Sequence, residues 1–391
     1  MSKKRNILHI TTVSSIGGAE KLILELARLQ KNFFKWSSVY VVIVGPKGLL
    51  NDELSQNNIE NESFDIESLF GVPKAILKLL YYIHIKKIKL LHSHLFLGGV
   101  FGGIAKLLFP GTKLIHTRHY SDVYTNYRKN DFRRFIDKYF VNKISNHLVA
   151  ISEDVKRTLL IEKASEKKIK IIYNGVIKQE TSLLEYEEEN LKTSLNNEIL
   201  SFKNAHPTGL VFYNIGAFRE EKGHLNILKL LKELSYTDLK FLCIFIGDGA
   251  YRPQIDRYCQ DNNLTEHIRF LGFQKHPYAF IKHCDIFLHL PELEGFGLVV
   301  CEAMREEKIV MASNLGGIVE IIKDGENGFL VDPKSVTDQV LLIKKIISLS
   351  DTERRIILNK ARKSFLKNYT LQQCGDKYNF LYKECMGDLL K

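Results

Sequence analysis

Several motifs that reveal common protein classes are missing from this sequence. The six cysteines form no Cys-x-x-Cys pair and lie in apolar surroundings, a pattern typical of reduced thiols rather than of disulfides or a zinc site. Gly-x-Gly-x-x-Gly and P-loop motifs are absent, which argues against NAD binding and ATP hydrolysis. No helix-turn-helix, zinc or RNA-binding motif is present, and no Asp-x-Asp stands in a plausible place for a metal. The chemistry must therefore be sought in other features.

Long hydrophobic runs are missing as well. The longest, residues 95–109, is rich in glycine, carries Lys106 and is shorter than the roughly 18 residues that a membrane-spanning helix needs. The start of the chain, MSKKRNILHITTV, is basic and then apolar, but its apolar run ends before any cleavage site and predicts a strand rather than a signal peptide. We therefore expect a cytoplasmic protein.

The chain does contain enough sequence for two domains, and it carries a surplus of positive charge. At 391 residues it exceeds one ordinary domain, and 45% hydrophobic with 26% charged residues indicates a globular protein. The net charge of +11 favours an anionic partner, and nucleic acid, a nucleotide and an anionic membrane surface all qualify.

Buried-strand patterns alternate with helical patterns in both halves of the chain. In the first half, strands are predicted at 6–13, 37–45, 88–94, 112–119, 146–152 and 168–176. In the second half, they are predicted at 209–218, 239–249, 267–273, 284–290 and 309–313. Such alternation is typical of parallel sheets with helices on both faces. The sequence thus predicts an α/β protein with two Rossmann-like, doubly wound domains facing across a ligand cleft.

Domain boundaries follow from a change in composition after Ile177. Residues 178–207 are polar, acidic and without strand patterns, so this segment is interpreted as a linker with a short helix. The prediction is an N-terminal domain at 1–177, a C-terminal domain at 208–372, and a final helix at 373–391 that packs back towards the N-terminal domain.

Two glutamates interrupt an apolar stretch in the second half, HLPELEGFGLVVCEAM. Glu294 is followed by Gly-Phe-Gly, and Glu302 stands eight positions later. If a helix begins near Gly297, the N–H groups of Phe296, Gly297 and Leu298 point outwards, and the two carboxylates can face one cleft. Carboxylates accept hydrogen bonds from hydroxyls, which suits a sugar; a surface pair beside a buried helix is the alternative.

Two other loops at strand ends are suited to binding phosphate. Gly17 and Gly18 follow the first strand and open a helix, where backbone N–H groups attract anions, although an ordinary tight turn is equally consistent. Arg219 and Lys222 follow the strand that ends at Gly216 and are placed to clamp a diphosphate; a solvated charged loop is the alternative.

Histidines are frequent in the first half of the chain. A lone histidine is usually structural, but His119 ends a predicted strand, which is a place for a catalytic or binding group. His92 and His94 are instead expected to shape the edge of the sheet.

A succession of short motifs runs through nearly the whole chain. These segments are GGAE (17–20), LLHSH (90–94), IHTRH (115–119), AISEDVKRTL (150–159), IIYNGV (171–176), IGAFREEKGH (215–224), GDGAYRPQI (247–255), RFLGF (269–273), EGFGLVVCE (294–302) and GGIVEII (316–322). In this order, with Glu-x7-Glu near the end, they resemble the retaining glycosyltransferases of family 4, which have the GT-B fold. The likeness depends on the succession of motifs rather than on any one of them.

The resemblance implies a role for each candidate residue. Glu294 would bind the transferred sugar, His119 matches the family's active-site histidine, and Glu302 would hold the ribose of the donor. The donor's phosphates and sugar would also be contacted by glycines, cations and helix amides, namely Gly17, Gly18, Arg219, Lys222, Phe296, Gly297 and Leu298. Many family members carry Arg where this chain has Ala217, and Arg219 is expected to reach the same phosphates.

The implied reaction is retaining transfer of a hexose-type sugar from a UDP-, GDP- or similar nucleotide sugar to an acceptor hydroxyl, in bacterial surface polysaccharide or glycolipid assembly. Arg219, Lys222 and helix amides would stabilise the leaving diphosphate, so no metal or other cofactor is expected. Two alternatives stay open, a catalytically silent GT-B partner subunit and a basic nucleic-acid-binding protein, although the missing motifs argue against a nucleic-acid partner.

One further segment, residues 124–144, combines basic and aromatic residues. At helical spacing it forms an apolar stripe with cations beside it: Phe132, Phe135, Ile136, Tyr139 and Phe140 with Arg128, Lys129, Arg133, Arg134, Lys138 and Lys143. Such a helix can rest on an anionic bilayer, and packing against the sheet is the alternative. With a saccharide or lipid-linked saccharide as the acceptor, this predicts peripheral attachment to the cytoplasmic face of the membrane.

Overall fold

A computed structural model describes residues 6–12, 14, 17–34, 38–66, 71–120, 131–178 and 186–387. The chain divides into two compact units. The first consists of Met1–Gly175 together with Thr370–Lys391, and the second of Val176–Tyr369. Each unit is built around one parallel sheet.

The first unit contains a seven-stranded sheet. Its strands are β1 (Asn6–Thr11), β2 (Ser38–Ile43), β3 (Glu60–Ser63), β4 (Leu90–His94), β5 (Lys113–Arg118), β6 (His147–Ala150) and β7 (Ile169–Ile171). Their order across the sheet is β3-β2-β1-β4-β5-β6-β7, and every pair is parallel. Successive residues of β1 point to opposite faces, so Ile7 packs in one apolar cluster with Leu22 while Leu8 packs in another with Leu79.

Helices cover both faces of this sheet. They are α1 (Gly18–Asn32), α2 (Leu49–Gln56), α3 (Gly71–Ile85), α4 (Leu95–Leu108), α5 (Asp131–Ile136), α6 (Asn142–Ile144), α7 (Glu153–Ile161) and, from the end of the chain, α15 (Leu371–Met386). Helix α15 contributes Cys374, Tyr378, Leu381 and Tyr382 to the same cluster as Ile7. These four residues recur at the spacing of one helix face, which explains why the C-terminal helix belongs to the first unit.

The second unit contains a six-stranded parallel sheet in the order β10-β9-β8-β11-β12-β13. Its strands are β8 (Leu210–Ile215), β9 (Phe241–Ile246), β10 (Ile268–Phe270), β11 (Ile286–His289), β12 (Ile309–Ser313) and β13 (Phe329–Val331). Its helices are α8 (Tyr186–Ala205), α9 (His224–Ser235), α10 (Arg252–Asp261), α11 (Leu298–Arg305), α12 (Ile318–Ile321), α13 (Val336–Ile347) and α14 (Asp351–Asn368).

Every strand that the sequence predicts is present, and two further strands were not predicted. Strand β3 reads Glu-Asn-Glu-Ser and lies at one edge of the first sheet, so its polar side chains give no buried-strand pattern. Strand β13 has only three residues and lies at an edge of the second sheet. Both strands pair with the sheet through backbone hydrogen bonds, which the amino-acid composition of a segment does not reveal.

The structure corrects the predicted linker and the boundaries beside it. Residues 178–207 contain α8, a helix of 20 residues rather than a short one, and this segment falls within the second unit. Leu195 and Ile199 of α8 are buried one helical turn apart, and Arg269 contacts Glu198 between them on the sequence. The second unit ends at Tyr369 rather than at residue 372.

The basic and aromatic segment is only partly described, since residues 124–130, with Arg128 and Lys129, lie outside the described residues. Its remainder forms α5, a π-helical turn at Asp137–Val141 and α6, rather than one regular helix. Phe132, Phe135 and Tyr139 are exposed. These three aromatic side chains are therefore open to solvent, whereas Ile136 and Phe140 are half-buried and Phe140 lies against Gly103 of α4. In the part of the chain that the structure describes, no helix is both long and apolar enough to cross a bilayer.

Candidate active site

Each sheet has a point where the chain reverses the direction in which it adds strands. In the second unit the chain builds β9 and β10 on one side of β8 and then returns to place β11 on its other side. The loops after β8 and β11 therefore diverge at the carboxyl ends of neighbouring strands, which is where open α/β sheets bind ligands. These two loops carry Lys222 and Glu294.

Lys222 and Glu294 form an ion pair at this switch point. Lys222 Nζ lies 2.8 Å from Glu294 Oε2, and His289 Nε2 lies 3.3 Å from the same oxygen. Burial alone would raise the pKa of Glu294, but the charge of Lys222 and the hydrogen bond with His289 hold that pKa well below its ordinary value. Glu294 is thus ionised at neutral pH and is a largely buried acceptor of hydrogen bonds.

Side-chain amides and close backbone approaches fix the two loops. Asn214 Nδ2 donates to Leu288 O at 2.8 Å, and Asn226 Nδ2 donates to Leu290 O at 3.1 Å. Gly223, at the start of α9, has φ +68°, and a Cβ there would stand 1.9 Å from Leu290 O. Only glycine fits this position, so the loop with Lys222 and the loop with Glu294 hold each other in place.

A third loop, between β12 and α12, packs against the backbone of Glu294. Gly316 has φ +53°, and a Cβ on it would lie 2.0 Å from Glu294 O. The N–H of Gly317 donates to the same carbonyl at 3.2 Å. The Gly-Gly pair in the segment GGIVEII therefore serves to seat the backbone of Glu294.

The helix predicted after Glu294 is present as α11, and it begins at Leu298 with Gly297 as its N-cap residue at φ +106°. Gly297 and Leu298 thus stand at a helix N-terminus, where N–H groups lack intrahelical acceptors. The ring of Phe296 is buried and meets the ring of Tyr369 edge-on at 5.9 Å, so only the backbone of Phe296 is available to a ligand.

Glu302 is buried within α11 and accepts a hydrogen bond from Tyr278 OH at 2.5 Å. Tyr278 belongs to a 3-10 helix at Pro277–His283. The two glutamates of the opening motif therefore have different partners, Lys222 and His289 for Glu294 and Tyr278 for Glu302.

Arg219 is more exposed than Lys222 and is paired elsewhere. Its Nε lies 3.0 Å from Glu221 Oε1, and its side chain is 59% exposed, against 21% for Lys222. Ala217, two residues earlier, is exposed as well. Lys222, rather than Arg219, is therefore the cation that the fold fixes beside Glu294.

In the first unit, Gly17 and Gly18 are exposed and open α1 as predicted. The N–H of Gly17 donates to Glu20 Oε2 at 3.2 Å, so a carboxylate of the same helix already satisfies this donor. Part of the preceding loop, residues 13, 15 and 16, lies outside the described residues.

His119 directly follows β5 and is half-buried. Its Nε2 lies 3.1 Å from His94 Nδ1, and His94 Nε2 lies 3.1 Å from His9 Nδ1. His92 and His94 are fully buried in β4, between β1 and β5, where they belong to this hydrogen-bonded group. The expectation that they shape the edge of the sheet is wrong, because the sequence does not show that β4 is a central strand.

These histidines are neutral at neutral pH. Burial lowers the pKa of His9 and of His119 to about 4, from the ordinary 6.5. Burial likewise lowers the pKa of His116 to about 3 and holds the pKa values of His92 and His94 well below 6.5. Each ring therefore has one nitrogen that donates and one that accepts.

His9, His92 and His94 place one ring nitrogen each within 4.8 Å of the others, close enough to hold a metal ion. Their nitrogens, however, already have partners. These partners are Gln30 and His94 for His9, Thr117 and Tyr382 for His92, and His9 and His119 for His94. A cation would have to displace these contacts, so the donor set fits a hydrogen-bond network better than a metal centre.

Sequence reasoning missed several residues around the two glutamates and in the histidine network. His289 was visible as a histidine at the end of a predicted strand, five residues before Glu294, and that position was a usable signal. Tyr278 and Gln30 are far from their partners in sequence, and no local pattern distinguishes them. His9 lies in the middle of β1, where a lone polar residue in an apolar run was the only sign.

Comparison with protein families gives matches in both halves of the chain. Residues 16–180 match the model described as glycosyltransferase family 4, and residues 196–363 match the model described as glycosyl transferases group 1. The first match ends five residues after the boundary at Gly175 between the structural units, and the second match begins within the second unit.

Individual relatives agree with this assignment. An uncharacterized glycosyltransferase of Methanocaldococcus jannaschii is 30% identical over 304 residues, which cover 76% of both chains. The capsular polysaccharide biosynthesis glycosyltransferase CapH of Staphylococcus aureus is 25% identical, covering 88% of this chain and 93% of its own. An Escherichia coli UDP-Gal:α-D-GlcNAc-diphosphoundecaprenol α-1,3-galactosyltransferase is 24% identical, covering 81% and 80%.

Among solved structures, Anabaena HepE in complex with UDP-glucose superimposes with a TM-score of 0.82. The match covers 98% of this chain and 99% of HepE at 19% sequence identity, and it shows a shared GT-B fold. Together with the 30% identical relative and the two family matches, this places the chain among the group 1 glycosyltransferases.

Proposed function

We propose that this glycosyltransferase moves a hexose-type sugar from a nucleotide diphosphate sugar to an acceptor hydroxyl with retention of configuration and without a metal. The observation that carries the proposal is the ion pair of Lys222 and Glu294 at the switch point of the second sheet, beside the N-terminus of α11. A fixed cation, helix amides and an ionised carboxylate together suit a ligand that is part phosphate and part sugar.

Glu294 would accept hydrogen bonds from the transferred sugar, since its carboxylate is ionised and held at a strand end. Lys222 would move its contact to the diphosphate when the donor arrives. Lys222 and the amides of α11 would stabilise the negative charge that develops on the leaving diphosphate. In metal-dependent enzymes a metal ion stabilises this charge instead. Arg219, which is exposed, would add a contact with the phosphates, as would the glycines Gly17 and Gly18.

Glu302 would bind the ribose of the nucleotide. A carboxylate is a suitable acceptor for ribose hydroxyls, and the hydrogen bond from Tyr278 would orient it towards them. His119 of the first unit would contact the transferred sugar as a neutral imidazole.

For the acceptor, we propose a lipid-linked saccharide in surface polysaccharide assembly. The named activities of two relatives support this choice, one in capsular polysaccharide biosynthesis and the other acting on a diphosphoundecaprenol substrate. The exposed aromatic and basic residues of α5 and the turn after it would keep the enzyme at the membrane surface where such an acceptor is found.

The test is a panel of UDP-, GDP- and other nucleotide sugars. Thermal shift identifies the donor that binds, and its hydrolysis is then followed in excess EDTA. Binding and turnover of one nucleotide sugar in EDTA are expected, with Lys222→Met inactive and Lys229→Met, a lysine of α9, as the charge-matched control. Loss of turnover in EDTA that Mn²⁺ or Mg²⁺ restores would refute the metal-free mechanism. Binding without turnover of any donor would favour a catalytically silent subunit.

A further inference from the structure

A chain of hydrogen bonds leads from a glutamine inside the first unit to His119. Gln30 Oε1 lies 2.8 Å from His9 Nε2, His9 Nδ1 lies 3.1 Å from His94 Nε2, and His94 Nδ1 lies 3.1 Å from His119 Nε2. Gln30, His9 and His94 are fully buried, so water does not compete for these contacts. The other nitrogen of His119, Nδ1, has no hydrogen-bond partner among the described residues.

The donors and acceptors along this chain are linked. An amide oxygen only accepts, so His9 must carry its hydrogen on Nε2. A neutral imidazole has one N–H, so His9 Nδ1 accepts from His94 Nε2, and His94 Nδ1 in turn accepts from His119 Nε2. The hydrogen of His119 therefore lies on Nε2, and its Nδ1 carries a lone pair.

Reversing the Gln30 amide would reverse every link. The amide N–H₂ would then donate to His9 Nε2, and the hydrogen of His119 would stand on Nδ1. In the direction assigned to the amide, Gln30 Nε2 lies 3.3 Å from Tyr382 OH, and this hydroxyl lies 2.7 Å from His92 Nδ1. The Tyr382 hydroxyl can then accept from the amide and donate its own hydrogen to His92.

We propose that Gln30, acting through His9 and His94, fixes the tautomer of His119, so that Nδ1 is offered to a sugar hydroxyl as a hydrogen-bond acceptor. Gln30 is in this sense a positioning residue, because it touches no substrate itself. The effect of the tautomer on catalysis rests on the proposed function of His119. The tautomer follows from the hydrogen bonds alone and does not depend on that function.

The position of the hydrogen is measured by NMR on the full chain with ring-¹⁵N-labelled histidine, since protonated and unprotonated ring nitrogens differ strongly in ¹⁵N shift. The sequence has 13 histidines, and His119→Gln identifies the His119 signals by their loss. Two variants cut the chain at different links, Gln30→Met and His9→Leu. Tyr378→Phe is the control, because it removes a buried hydroxyl that contacts Thr117 Oγ1 and lies off the path to His119.

In wild type and in Tyr378→Phe, His119 is expected to carry its hydrogen on Nε2. In Gln30→Met and His9→Leu the Nδ1–H form should gain population, and kcat/KM for donor hydrolysis should fall about tenfold, the equivalent of one neutral hydrogen bond. Wild-type His119 with its hydrogen on Nδ1 would overturn the proposal, as would an unchanged tautomer in either folded variant. If no donor is turned over at all, the proposed function fails, but the NMR result still decides on the relay.

Discussion

Lys222 and Glu294 lie 72 positions apart in sequence and 2.8 Å apart in space. Sequence reasoning singled out both, since a strand-end cation and a carboxylate before Gly-Phe-Gly are local features. It did not pair them, because the pairing depends on β8 and β11 being neighbours in the sheet. For the same reason it gave Arg219 and Lys222 equal weight, although only Lys222 is held beside Glu294.

Glu294→Gln should reduce turnover by roughly 10²–10³-fold, because the neutral amide keeps the shape of the side chain but removes the charge that contacts the transferred sugar. Free nucleotide should bind as in wild type, since Glu294 is assigned to the sugar and not to the ribose or the phosphates. Turnover is measured with the donor that the panel identifies, and nucleotide binding by calorimetry.

The matched control is Glu292→Gln, an exposed carboxylate two residues earlier in the same loop. It should behave like wild type, because its loop contact is made by the backbone N–H to Glu221 O. A correctly folded Glu294→Gln enzyme with wild-type turnover would show that the carboxylate has no part in the reaction.

At the scale of elements, β1, β4 and β5 bring His9, His94 and His119 into one hydrogen-bonded group. The sequence located these strands but not their order, and the order β1-β4-β5 is what creates the group. Helix α15 adds Tyr382, which contacts Gln30 and His92, from a part of the chain more than 200 residues away. Long-range pairing of this kind leaves no periodic trace in a single sequence.

The buried histidines should make the first unit sensitive to acid. Their folded-state pKa values lie below the ordinary 6.5, at about 4 for His9 and about 3 for His116. Below pH 6.5 the unfolded chain therefore takes up protons that the folded chain does not. The free energy of unfolding is highest above pH 6.5 and falls as the pH approaches the folded-state values. Each fully buried histidine should remove up to about 1.4 kcal/mol per pH unit from the free energy of unfolding in this window.

This dependence is measured by urea unfolding between pH 7.5 and 4.5, with hydrogen exchange of the β1 and β4 amides reporting on the first unit. His116→Gln should flatten the slope by about one proton, because it removes one neutral buried imidazole. His84→Gln, at an exposed position of α3, should leave the slope unchanged. Protection factors, which are exchange rates corrected for their intrinsic dependence on pH, would contradict the prediction if they were equal at pH 7 and pH 5.

At the scale of the whole molecule, the alternating pattern was enough to predict two α/β domains, and the motif order was enough to predict the family. The boundaries were harder, because the polar segment before β8 folds as α8 within the second unit. This helix does not follow from composition, since it depends on a few buried side chains at helical spacing.

The net charge of +11 is a property of the whole molecule, and several of its cations lie beside exposed aromatic rings in the first unit. Phe132 is 74% exposed, and Phe135 and Tyr139 are exposed beside it. Lys138 and Lys143 lie over the ring of Tyr139 at 4.9 and 5.4 Å from its centre. We define these aromatics with Arg133, Lys138 and Lys143 as the basic aromatic surface.

Arg118 anchors this surface to the sheet. Its guanidinium is buried at the end of β5 and pairs with Asp137 of the π-helical turn and with Glu162. The π-helical turn is therefore held by a buried ion pair, while Phe132, Phe135 and Tyr139 stay exposed. Exposed aromatic side chains ringed by cations are the chemistry of a helix that lies in the interface of an anionic bilayer.

Binding to anionic vesicles should accordingly depend on where the charge is removed and not only on how much. Arg133, Lys138 and Lys143 changed together to Ser should weaken binding about hundredfold, since each cation near the surface contributes about 1 kcal/mol. The control replaces Arg355, Lys360 and Lys363, exposed cations of α14, and removes the same charge far from the basic aromatic surface in sequence. Co-sedimentation with anionic and neutral vesicles at low and high salt measures the effect, and salt should weaken wild-type binding. If both triple variants sediment alike, or if neutral vesicles bind as well as anionic ones, the basic aromatic surface is not the site of attachment.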